Sequence, residues 1–416
     1  MANIDIITQD SDASDRLSQA EDVARGLVDQ GIVPGIALAW KMSDGPVRYH
    51  NVGALDFGSD RAIDERSIFR IFSQSKPITG IAVMMLIEQG LLGLDQPLAD
   101  ILPAFADMRV LIDEESGATR PAARPITIQH LLTHSAGFGM AGMTLGTLYA
   151  QEGIMPGVIG RASVEASPSL PRTLKELGQR LATLPLSADP GERFDYSVAI
   201  DILGLVVQTV SGKPFDVFLK DHLFQPLGMV DTGFTIAPEN RDRFTALREK
   251  AGDQFTLADD PQDSAYRAVD YPAGGGGMLS TAHDYARFAA MLLNGGELDG
   301  VRILKPQTVA LARSNLLPAE IDHIAVPIGH RLHGAAMGAA MSVQVAPGMA
   351  TGDMFDWPGA VPAGVFGWPG AAGTACWMDP ERRFFLLFLT QYWPSWINGS
   401  MRPDIIAAAY RDLEGR

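Results

Sequence analysis

Apolar and polar positions divide the chain into strand-like ends and a helical middle. Gly35-Ile36-Ala37-Leu38-Ala39-Trp40 and Val47-Arg48-Tyr49-His50-Asn51-Val52 read as strands, and Ser43-Asp44-Gly45 between them predicts a β-hairpin. The run Ile78 to Ile87 follows and predicts a buried helix ending near Gly90. From about residue 95 to 260 the spacing is mainly helical, clearest in Ile128–Leu132 and Ala199–Val207. Met140 to Val164 is rich in Gly and Met and has little periodicity. It reads equally as a mobile wall over an apolar pocket, since Met adapts to irregular ligands, or as an ordinary loop. Strands return in Ala375–Met378 and Phe384–Leu389, joined by the turn-like Asp379–Arg383, and Ile405 to Leu413 reads as a closing helix. Strands at both ends with helices between predict an α/β lobe of residues 1–95 and 261–416, with a mainly helical lobe, 96–260, inserted.

Composition narrows the functional classes. A chain of 416 residues with 46% hydrophobic content can bury a large core, and two lobes are expected because single cores rarely exceed roughly 250–300 residues. The net charge of −16 argues against nucleic acid or an anionic membrane surface as partner, since both require a basic face. Met1 to Arg16 is polar and acidic, unlike a signal peptide, and the apolar runs stop short of the roughly 20 residues a membrane span needs. A cytoplasmic protein is the expectation. One cysteine, Cys376, excludes an intrachain disulfide framework and is expected in the core.

Candidate chemistry begins at Ser73-Gln74-Ser75-Lys76-Pro77. Proline is tolerated in a first helical turn and not in an interior, so the helix starts close to Ser73. Residues three apart share a helix face, which places the Ser73 hydroxyl and the Lys76 amine in one space. The field of a helix N-terminus disfavours an ammonium there, so Lys76 is a candidate base for Ser73. A second piece is Pro190-Gly191-Glu192-Arg193-Phe194-Asp195-Tyr196-Ser197-Val198, which sets a tyrosine just before a helix. Its phenol can shuttle a proton beside a cation, or can simply pair with backbone. Taken alone, neither pattern is specific.

In order along the chain, the S-x-x-K serine, the triplet Tyr196-Ser197-Val198 and Trp368-Pro369-Gly370 resemble the three motifs of the serine β-lactamase and penicillin-binding-protein superfamily. The pattern is most similar to the class C-like branch and, within it, to family VIII carboxylesterases. Thr127 to Gly137, Pro226-Leu227-Gly228-Met229 and Gly274 to Thr281 resemble further landmarks, and the similarity runs from about residue 20 to 410. The resemblance implies a β-lactamase/transpeptidase-like fold, an antiparallel sheet flanked by helices, with the site between the lobes. It further implies an acyl-enzyme on Ser73, Lys76 and Tyr196 as a coupled base and acid, and an oxyanion hole from the backbone N–H groups of Ser73 and Ala371. Val198, Trp368, Pro369 and Gly370 would contact the substrate; no metal or cofactor is implied.

Two departures redirect the expected substrate. Val198 stands where β-lactamases of this branch carry an asparagine, and Trp368 stands where a lysine usually holds the β-lactam carboxylate. Loss of a desolvated charge partner costs about 2–5 kcal/mol. A small or medium carboxylic ester is therefore the expected substrate. Acyl transfer to an alcohol and β-lactamase or peptidase-type amide hydrolysis are the alternatives, and a catalytically silent binding protein is the reading from another class. No serine lies in G-x-S-x-G. His130 and His134 have the spacing of a zinc pair, but His130-Leu131-Leu132-Thr133-His134 lacks the glutamate of zinc peptidases, and a histidine bracing a loop is expected instead. Gly274 to Gly277 lacks a following G-K-[ST] and predicts close backbone approach beside the site. Specificity is assigned to Met140–Ile159 and Ile328–Phe355, read as irregular loops, the latter with His330 and His333. The natural ester, its acyl length and the oligomeric state are not encoded in any motif.

Overall fold

The computed structural model describes residues 16–140, 143–154, 170–252, 254–269, 271–325, 331–349, 361–393 and 401–415. Helix α1 (Ser18–Asp29) leads into the hairpin β1 (Gly35–Lys41) and β2 (Arg48–Gly53), then the short strand β3 (Ile68–Arg70) and helix α2 (Ser75–Glu88). The middle of the chain holds helices α3 (Ile128–Leu132) and α4 (Ala199–Ser211). Strand β4 (Leu279–Thr281) and helix α5 (Ala282–Leu293) precede β5 (Ile324–Ala325), β6 (Arg331–Met337), β7 (Ser342–Met349), β8 (Phe366–Pro369), β9 (Ala375–Asp379) and β10 (Phe384–Leu389), and helix α6 (Met401–Glu414) closes the chain.

Among the described residues the main sheet has eight strands, in the order β5-β6-β7-β8-β9-β10-β1-β2. Every pairing in it is antiparallel, and the two chain ends meet where β1 lies beside β10, Leu38 opposite Phe388. The expected α/β class and antiparallel sheet built from both termini are thus present. Both faces of β10 and of β9 are buried, which is why they read as continuous apolar runs. The termini are also tied through helices, because Asp412 in α6 accepts the Gln19 N–H of α1 at 3.0 Å. Cys376 is buried in β9, as expected. No single helix among the described residues is long and apolar enough to cross a membrane.

Helix α2 runs through the core, buried from Ser75 to Leu86, so its sequence is apolar all round rather than on one face. Gly80 lets it pass the Gly338–Ala340 turn, since a Cβ there would lie 2.1 Å from the Ala339 carbonyl oxygen. Two expectations need correction. Residues 95–260 include strand pairs, Arg109–Asp113 with Ala118–Pro121 and Leu247–Ala251 with Gln254–Asp259, the second continued by Tyr392–Trp393. These hairpins carry charged, largely exposed faces, so no apolar alternation marks them. Residues 331–349, taken as loop, form β6 and β7, with a register irregularity between His333 and Ala335. Their Ala- and Gly-rich composition hides the strand pattern. His330, together with 326–329 and 350–355, lies outside the described residues, as do 1–15 and, in the Met-rich segment, 141–142 and 155–164. What is described of that segment includes a short helix, Gly146–Gln151.

Strand β3 is held by an ion pair removed from water. Arg70 and Asp259 are both fully buried; the guanidinium Nε donates to Asp259 Oδ2 at 2.7 Å, and Nη2 donates to the same oxygen. Nη1 donates to the Thr245 carbonyl at 2.6 Å, the Arg70 N–H reaches Gln391 at 2.7 Å, and the guanidinium lies 3.8 Å from the Phe244 ring centroid. Removing one member of a buried pair strands the other charge, at a cost of about 3–5 kcal/mol. Asp259→Ala should therefore lower unfolding stability by about 3–5 kcal/mol in denaturant titration. A loss below about 1 kcal/mol, the value of a surface pair, would show that the pair is not the anchor of β3.

Candidate active site

Ser73 does not open the α-helix itself. It sits in a one-turn 3-10 segment, Phe72–Gln74, directly before α2. Phe72 has φ +44, left-handed for a residue with a Cβ, a conformation that costs on the order of 1–3 kcal/mol and persists only where the surroundings enforce it. Here they do. The Ile71 N–H donates to Met278 O at 3.0 Å, Thr374 Oγ1 donates to Ile71 O at 3.2 Å, and the Phe72 ring stacks on Trp393 at 5.6 Å. The bend lifts Ser73 off the end of β3 while α2 fixes Lys76 one turn later.

Lys76 is 4% exposed, and its Nζ donates to Ser73 Oγ at 3.2 Å and to the Gly275 carbonyl at 2.5 Å. Tyr196 donates from its hydroxyl to Ser73 Oγ at 2.7 Å, and its ring centroid lies 4.7 Å from Lys76 Nζ. A hydroxyl, an amine and a phenol from segments 123 residues apart therefore converge on one oxygen. Trp368 stacks on the Tyr196 ring at 5.8 Å with planes 19° apart, and is 1% exposed. Pro369 and Gly370 follow at the end of β8. The Gly370 N–H donates to Thr374 O at 2.7 Å, and a Cβ on Gly370 would lie 2.3 Å from Ile71 O. That contact sets Ala371 against Phe72 in one small apolar cluster with Leu247 and Ala372. Val198 is buried at the N-cap of α4 and donates to Gly139 O at 3.3 Å.

The two histidines brace this arrangement. His130 completes a capping box at α3, with the Thr127 N–H donating to its Nδ1 at 3.2 Å. His134 is buried, and its Nδ1 accepts the Ser197 N–H at 3.2 Å, fixing the residue after Tyr196. Burial and the Lys76 charge hold His134 well below the ordinary histidine range, so it is neutral. Among the described residues no group of three or more His, Cys, Asp or Glu side chains is arranged to hold a metal ion.

The β-lactamase family model matches residues 20–410. The chain belongs to that family. The motif resemblance and the β-lactamase/transpeptidase-like fold are borne out by this match. Among similar proteins, Protein Rv1367c of Mycobacterium tuberculosis is 31% identical over 385 residues, 89% of this chain and 88% of its own. Esterase EstB of Burkholderia gladioli is 32% identical over 267 residues, 60% of this chain and 64% of its own. The solved structure of EstCE1, described as a hydrolase with promiscuous acyltransferase activity, matches with TM-score 0.74 and 26% identity, over 96% of this chain and all of that one. The chain is thus an enzyme of the serine β-lactamase-like superfamily, in the range of its serine hydrolases, esterases and acyltransferases.

Sequence reasoning missed one residue beside these groups. Asp201, buried in the first turn of α4, accepts the Gly275 N–H at 2.8 Å, next to the carbonyl that receives Lys76. The available signal was an acidic residue inside the apolar run Ala199–Val207.

Burial and the Arg124 charge lower the His130 pKa from 6.5 to about 4. A histidine depressed on folding binds its proton more readily when unfolded, so its contribution is fully present above pH 6.5 and is lost as pH falls toward 4. His130→Gln should flatten the fall in urea midpoint between pH 6.5 and 4 relative to the wild type. Parallel curves for the two proteins would contradict the assignment.

Proposed function

We propose that the chain is a carboxylesterase that cleaves small or medium esters through an acyl-enzyme on Ser73. The observation that carries the reading is the convergence of Lys76 Nζ and the Tyr196 hydroxyl on Ser73 Oγ, at 3.2 and 2.7 Å. Attack of Oγ on the ester carbonyl forms the C–O bond as the serine proton passes to the Lys76–Tyr196 pair. The same pair then returns a proton to the departing alkoxide, which leaves as the alcohol. The pair acts as one coupled acid and base. The backbone N–H groups of Ser73 and Ala371 are assigned to the oxyanion; the Phe72 bend and the close approach of Gly370 to Ile71 support this. Each such donor contributes about 2.7–4 kcal/mol to the transition state. Water then attacks the acyl carbonyl, with its proton taken by the pair, and releases the acid and Ser73.

The site's substrate side is assigned to Val198, Trp368, Pro369 and Gly370. Trp368 supports an ester over a β-lactam, because an indole beside Tyr196 offers no cation to a substrate carboxylate. The partner proposed is a small neutral ester, with neither nucleic acid nor membrane. Acyl transfer to an alcohol is the second reading, favoured by the description of EstCE1; it differs only in which hydroxyl resolves the acyl-enzyme.

Purified protein should hydrolyse p-nitrophenyl butyrate, with Ser73→Ala inactive and Tyr196→Phe reduced about 10²–10⁴-fold in kcat. Failure to turn over any nitrophenyl ester from acetate to octanoate would sink the reading. Added short alcohols that raise nitrophenol release and yield alkyl butyrate would favour acyl transfer.

A further inference from the structure

We propose that Asp201 is a positioning residue for Lys76, acting across Gly275 to hold the amine against Ser73 and to balance its charge. The proposal rests on the esterase reading above. Its geometry is a chain of two hydrogen bonds through one glycine. The Asp201 carboxylate accepts the Gly275 N–H at 2.8 Å, and the Gly275 carbonyl accepts Lys76 Nζ at 2.5 Å. The approach is close, since a Cβ at 275 would lie 2.8 Å from Asp201 Oδ2 and push the carboxylate aside. The neighbouring peptide is clamped from the other side. Thr79, one turn beyond Lys76 in α2, donates from Oγ1 to the Gly274 carbonyl at 2.8 Å. The Gly274–Gly275 segment is therefore pinned between α2 and α4, and its carbonyl is aimed at the amine.

Burial of a carboxylate requires compensation, and one N–H bond is a modest one. Lys76, across Gly275, supplies a further part. Burial raises the Asp201 pKa, while the Gly275 N–H and the Lys76 cation pull it back. The other groups facing this amine are the Tyr196 phenol and His134, which is neutral. Asp201 is the carboxyl group of the set. The Gly275 carbonyl holds the Lys76 amine beside Ser73.

The test follows the rate at which Ser73 takes a fluorophosphonate label, against pH, which reads the nucleophile without knowledge of the natural ester. Asp201→Asn keeps an oxygen for the Gly275 N–H and removes the charge. It is expected to move the acid limb of the labelling profile down by about one pH unit, because the counter-charge across Gly275 is gone. Gly275→Ala keeps the charge and displaces the carboxylate. It should slow labelling roughly 10-fold or more across the pH range without moving the limb. Circular dichroism and thermal midpoints establish that each variant is folded, and Gly275→Ala alone decides the matter if Asp201→Asn is not. Variants whose profiles superimpose on a labelled wild type overturn the role of Asp201 and leave the esterase reading standing. A folded wild type that takes no label overturns both.

Discussion

The buried Arg70–Asp259 pair is the constraint on which the site's geometry depends. It fixes the end of β3, two residues before a backbone bend that no ordinary residue adopts freely. Phe72 can stay left-handed because both sides of the bend are anchored: Arg70 to Asp259, Thr245 and Gln391 on one side, the buried helix α2 on the other. A surface salt bridge could not do this, because water would compete for both partners. The cost of burying two charges is offset by a hydrogen-bonded cage with an aromatic face over the guanidinium. Stability and site geometry are therefore one problem in this chain.

A second cation, Lys76, lies six residues on and is treated differently. Arg70 has a carboxylate in direct contact, whereas Lys76 has a carbonyl, a hydroxyl and an aromatic ring, with its carboxylate one glycine away. The indirect arrangement leaves a face of the amine to Ser73. The two residues show how distance from the counter-charge separates a structural cation from a reactive one.

The parts of this site legible in the sequence are those encoded within one turn or one triplet. Ser73 and Lys76 are three apart, Pro77 marks the helix start, and Tyr196 precedes an apolar helical run. The sheet was legible at the chain ends because β1, β9 and β10 are apolar but for the terminal Lys41 and Asp379. What stayed hidden is carried by backbone or by charge on an exposed face. Gly275 contributes a carbonyl and an N–H, neither of which any side-chain motif records, and Asp201 reads as a misplaced acid until that N–H is seen. The 247–259 hairpin is hidden by its charges, and β6 and β7 by their glycines and alanines. The helix start was also read slightly early, because Pro77 bounds an α-helix but says nothing of the 3-10 turn in front of it.

Trp368 connects these points to specificity. The superfamily resemblance puts a lysine at this position, beside the phenol that Lys76 already faces. Two cations on one tyrosine ring would need an anion between them, which a β-lactam carboxylate supplies and a neutral ester does not. With tryptophan there, the ring stack at 5.8 Å closes that space with apolar surface, and Lys76 is compensated from within by Asp201. On the proposed ester reading, the substrate is then not required to bring a negative charge. Discrimination by omission of a counter-ion is a form of specificity against the wrong ligand, and it fits the proposed ester reading, in which Ser73, Lys76 and Tyr196 match the superfamily motifs while Val198 and Trp368 depart from them.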